Sequence, residues 1–169
     1  MAAAVAISVV VGGCGRHVDH PTAPELSSYE QAILPTVRDW GSIEIQGMQP
    51  AIDDLRSGQG APAAAIATEA TAWQSALRAD RVKLNDVKPP SGLHNAATLF
   101  DTSIAKYIDA AVLFGRAART NAGRPALIDA GVNAAKEGDR LYDQASAILQ
   151  SAHHRLGQSP SPDFPNKPK

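Results

Sequence analysis

The sequence predicts an all-α protein, an antiparallel up-down-up-down four-helix bundle. Three observations carry this expectation. From Leu93 to Ala118 the residues Leu93, Ala97, Phe100, Ile104, Tyr107, Ala111, Phe114 and Ala118 recur in alternating steps of four and three. That unbroken spacing is the seam of a helix packed against partners. Three further stretches carry weaker stripes of the same period, and Pro- and Gly-containing connections separate all four. Short connections favour antiparallel neighbours. No alternation of β-branched with polar residues occurs beyond Cys14, so no sheet is expected.

The chain begins with an apolar run, Ala2 to Val11, followed by Val11-Gly12-Gly13-Cys14. The run has the length of a signal-peptide core and is too short to span a bilayer as a helix. An aliphatic residue, two small residues and a cysteine match a bacterial lipobox in order and type. The lipobox implies that the Cys14 thiol becomes a thioether to diacylglycerol and that cleavage leaves Cys14 as the first residue. Residues 1–13 are therefore read as a lipoprotein signal peptide and Cys14 as the lipidation site. Cys14 is the only cysteine, so no internal disulfide competes for it. One acyl chain binds a membrane marginally, whereas two or more anchor it stably. Met1-Ala2-Ala3-Ala4 lacks the positive charge that normally opens a signal, which points to a start further upstream. Residues 14–24 are polar, contain Pro21 and Pro24, and read as a lipidated tether.

Residues 25–157 hold the four helices. The first is expected to begin near Ser27 or Ser28, which offer capping boxes with Glu30 and Gln31. Its stripe is Leu26, Tyr29, Ile33, Val37, Trp40, Met48, Ile52 and Leu55, with a gap at Glu44, and Gly58 ends it. Pro35 and Pro50 inside it predict kinks, because each lacks an N–H and crowds the preceding turn. The second starts around Pro62, carries Ile66, Ala70, Trp73, Leu77, Leu84 and Val87, and stops at Pro89-Pro90. Asp80 interrupts its stripe. Ser91 is the expected cap of the third helix, whose seam runs to Gly123. Pro125 opens the fourth, with Ile128, Val132, Ala135, Tyr142, Leu149 and Leu156 inward and Asp139 inside the stripe. Arginines and lysines collect late in the last three helices, opposing the negative helix ends. Residues 158–169 contain four prolines and are expected to form a disordered, extended tail.

Composition narrows the function. A net charge of -1 gives no basic footprint, so no nucleic-acid partner is expected. Alanine supplies 31 of 169 residues, which predicts closely packed helices. None of Glu25, Glu30, Glu44, Glu69 or Glu137 has a histidine three residues on, which excludes a standard di-iron carboxylate site. His17 and His20 lie in the tether, and His153 and His154 are adjacent, so neither pair forms a metal site on a helix face. There is no nucleophile elbow and no phosphate-binding loop. No catalytic residue, metal or cofactor is expected, and the chain is read as a non-enzyme. Trp40, Trp73 and Asp139 are the candidate ligand-binding residues. Asp139 should fall level with Met48, Trp73 and Ile104, where an inward carboxylate needs a hydrogen-bond donor, and the Trp73 indole is one.

The lipobox, the Ala-rich helices, Pro89-Pro90 before the Leu93-His94 helix start and the proline-rich tail together resemble uncharacterised secreted lipoproteins of mycobacteria and related actinobacteria. The resemblance implies a lipid-anchored protein on the extracytoplasmic face of the cell membrane. The expected function is an interaction or scaffolding module whose partners are the membrane, through Cys14, and another protein. The alternative is a carrier or sensor that holds an apolar small molecule between the helices.

Overall fold

Residues 20–164 are described by a computed structural model, so the lipobox, Cys14 and His17 lie outside the described residues. The elements are α1 (Ala23–Ser42), a π-helical turn (Ile43–Met48), α2 (Gln49–Ser57), α3 (Ala63–Asp86), α4 (His94–Arg119) and α5 (Arg124–Arg155). The first three form one continuous rod. The molecule is thus an all-α antiparallel four-helix bundle, with no strand among the described residues.

The first rod starts earlier than the serines suggest. Glu25 Oε2 accepts the Thr22 N–H at 2.8 Å and the Thr22 hydroxyl at 2.7 Å, closing the helix end five residues before Ser27. Those two bonds hold the Glu25 carboxyl below its ordinary range. Pro35 stays within regular α1 because it faces solvent, where the carbonyl it displaces remains hydrated. Pro50 has the larger effect. It cannot donate to the carbonyl one turn back, and the chain widens just before it: the Gln49 N–H bonds to Glu44 O, a π-type step of five. Gly58, in the left-handed region at φ 66°, ends α2.

The α3–α4 connection also corrects the expectation. Ser91 does not cap α4. Instead Pro90 to Leu93 form a turn in which the Leu93 N–H donates to Pro90 O at 3.1 Å, with Gly92 at φ 83°. A positive φ at the third turn position is the requirement that glycine meets.

Every predicted seam residue of the first rod is buried, as are Phe100, Ile104, Tyr107, Ala111 and Phe114 of α4. The closest packing lies between α4 and α5. Two glycines allow it. A Cβ on Gly131 would meet Phe114 Cε1 at 2.5 Å, and one on Gly138 would meet Tyr107 Cε2 at 2.9 Å. The partners run 131 to 138 on one helix and 114 to 107 on the other, the opposite directions of an antiparallel pair. The first rod, which carries Tyr29, Trp40 and Met48, stands further off and approaches α5 closely at few positions. No helix among the described residues is long and apolar enough to cross a membrane.

Candidate functional site

A cluster of rings fills the middle of the bundle. Trp40 of α1 lies 6.1 Å from Phe100, 6.5 Å from Tyr107 and 6.0 Å from Tyr142 between ring centroids, and Phe100 lies 5.7 Å from Tyr142. These tilted and edge-on contacts are the favoured aromatic geometries. They join α1, α4 and α5.

One polar group enters this cluster. The Tyr107 hydroxyl meets Glu44 Oε2 at 3.2 Å and makes a short contact with Asp139 Oδ1. Glu44 is brought inward by the π turn, Tyr107 by the α4 seam and Asp139 by α5. A phenol has one proton, so it donates to one of the two acids at a time. Burial pushes the Tyr107 phenol far above its ordinary range, and the charge of Glu44 and the hydrogen bond to Asp139 push it further the same way. It therefore stays protonated, a fixed donor rather than a base or nucleophile.

The candidates from the sequence divide accordingly. Trp40 and Asp139 meet around Tyr107. Trp73 lies instead on the π turn, where a Cβ on Gly47 would come 2.8 Å from its Nε1. The donor that reaches Asp139 is the Tyr107 hydroxyl, a pairing that spacing along one helix could not supply. Asp80 is buried and takes Lys83 Nζ at 2.8 Å, its lysine reaching back from the surface. Among the described residues no three His, Cys, Asp or Glu side chains gather as a metal site.

A second constellation sits at the edge between α1 and α5. His153 Nε2 lies 2.9 Å from Glu30 Oε1, and its Nδ1 lies 3.0 Å from Gln158 Oε1. His153 is thus a cross-helix partner of Glu30. Burial raises the Glu30 carboxyl above its ordinary value, and the His153 contact offsets part of that rise.

The chain after α5 corrects the expectation of a free tail from residue 158. Gln158 to Phe164 turns back along the α1–α5 edge without regular structure. Phe164 is fully buried, 6.1 Å from the Phe100 ring. Gln150 Nε2 donates to Ser161 O at 3.1 Å and to Phe164 O at 3.0 Å, and Arg38 pairs with Asp163 at 2.8 Å. Pro165 and Pro168 of the expected tail lie outside the described residues, and Pro162 and Asp163 form a turn rather than extended chain; the single Phe164 that anchors the segment carries no periodicity.

Surface depressions of about 360, 240 and 480 Å³ lie elsewhere, the first beside Pro24 and Lys88, the second beside His94 and Asp101, the third beside Thr71 and Arg119. Trp40, Tyr107 and Asp139 line none of these three. No protein family, curated protein or solved structure matches the chain.

Proposed function

We propose that this protein is a lipoprotein of the cell envelope, held on the extracytoplasmic face of the membrane by lipid on Cys14, and that its bundle is a non-enzymatic interaction or scaffolding module. The observation that supports the module reading most is the peptide seated between α1 and α5, where ring, charge and backbone are each engaged by a separate side chain. The interior, where a carrier would hold an apolar cargo, is occupied by Trp40, Phe100, Tyr107 and Tyr142. The polar side chains within it face one another rather than a cavity. The anchor reading rests on the order Val11-Gly12-Gly13-Cys14.

The test is the mass and partition of the protein from its native membrane. Lipid on Cys14 should appear as added mass on the N-terminal peptide and as partition into detergent. Cys14→Ser removes the thiolate needed for lipid transfer. That variant should remain unlipidated, as an uncleaved precursor or a released helical protein. Absence of lipid mass on the native peptide, with equal membrane retention of the Ser variant, would refute the anchor.

A further inference from the structure

The segment 161–164 lies in its groove as a bound peptide ligand lies on a receptor. A buried aromatic anchor, one charged contact to the preceding side chain and a side-chain amide reading main-chain carbonyls are the elements by which a short peptide is recognised. The groove exists because the first rod stands away from α5. Phe100 of α4 forms its floor under Phe164.

Two observations say that the segment does not use all the groove offers. Gln150 Oε1, on the same side chain whose Nε2 holds the segment, is buried without a hydrogen-bond partner among the described residues. Buried polar groups in folded proteins are almost always paired. A main-chain N–H passing over Gln150 would supply the donor that Oε1 needs. The hold outside the ring is also light. The Arg38 and Asp163 side chains are 67% and 43% exposed, and ion pairs so exposed contribute little. Residues 158–160 are exposed throughout.

We infer that the groove between α1 and α5 is a docking site for a short peptide segment of another protein, one that carries an aromatic residue directly after an acidic one, and that Ser161–Phe164 is its built-in competitor. This rests on the interaction-module reading and names the class of partner. A tethered competitor acts at an effective concentration on the order of millimolar, so the partner must bind tightly or be confined nearby. Confinement to one membrane surface meets that condition.

The probe is a fluorescein-labelled peptide of residues 158–169, titrated by anisotropy into the full-length chain and into full-length Phe164→Ala. Freed of its own anchor, the Phe164→Ala chain should bind the probe about ten-fold or more tightly than the native chain does. Adding Gln150→Ala should remove that gain, and a probe with alanine in place of its phenylalanine should not bind. Equal affinity of the native and Phe164→Ala chains, with helix content intact, would overturn the proposal. If Phe164→Ala fails to fold, amide exchange on the native chain decides. Opening of 161–164 far more often than α4 and α5 supports a displaceable segment, and protection equal to the core overturns it. Concentration-dependent dimers lost in Phe164→Ala would assign the groove to a second copy and overturn the partner assignment. None of these readouts depends on lipid at Cys14, so this inference and the anchor fail separately.

Discussion

Gly138 lies beneath the ring of Tyr107. A Cβ at that position would come 2.9 Å from Tyr107 Cε2 and 3.2 Å from Cδ2, while the Gly138 carbonyl accepts the buried Ser103 hydroxyl at 2.7 Å. The missing side chain lets α5 approach α4 closely enough for that bond. It also sets the height at which the Tyr107 hydroxyl meets Asp139, the next residue along α5. One glycine therefore couples the spacing of two helices to the polar contact in the core.

Gly138→Ala should destabilise the fold by about 1–3 kcal/mol, the usual cost of overpacking a filled interior. Alanine's better helix propensity opposes this by about 1 kcal/mol. The ring edge sits between backbone and packed neighbours, so it has little room to yield, and overpacking should win. Urea unfolding measures the sum. A variant as stable as the native chain would mean that α4 and α5 can move apart freely.

Tyr107→Phe keeps the ring in the aromatic cluster and deletes only the hydroxyl. Glu44 and Asp139 then lose the donor they share. The expected loss is about 1–3 kcal/mol, the desolvation cost of buried groups that lose a partner. A change below about 0.5 kcal/mol, too small for a lost buried bond, would show that other groups satisfy both acids.

Stability should fall in acid through Asp101. Arg81 Nε and Nη2 donate to its two oxygens at 2.6 and 2.8 Å, and Asn85 adds a bond at 2.9 Å. Chiefly through the Arg81 hydrogen bonds, they hold the carboxyl below its ordinary value of 3.8. A depressed acid contributes stability that is present above that ordinary value and is lost as pH falls through the folded value. The advantage of the native chain over Asp101→Asn should therefore shrink as pH drops below about 4. Glu30 has the opposite sign. Its carboxyl is raised above 4.5, so its contribution is full below that value and is lost as pH rises through the folded one. Chemical unfolding at stepped pH checks both. A constant gap between the native chain and Asp101→Asn would show that Arg81 does not bind the carboxylate.

The sequence by itself determined the helices and their inward faces, because periodicity is a local property that survives without knowledge of partners. The stripe of the first rod became the core residue for residue, and the seam of α4 did so except at Ala97, which is half-buried beside the buried Ala96. The gap at Glu44 was visible too, as was the anomaly of Pro50, but their consequence was not. Only the fold shows that Pro50 opens a π turn and that Glu44 then turns inward to a phenol on another helix. Pairs such as Tyr107 with Asp139, Glu30 with His153 and Arg38 with Asp163 join residues far apart in the chain. No spacing rule connects them, because the distance between helices depends on which side chains stand between. The tail makes the same point. Composition predicted a chain without regular structure, and Gln158 to Phe164 forms neither helix nor strand. Its position was decided by one ring, Phe164, and by the gap that bulky residues on the first rod leave beside α5. Local chemistry wrote the elements, and steric fit between them decided which polar groups meet.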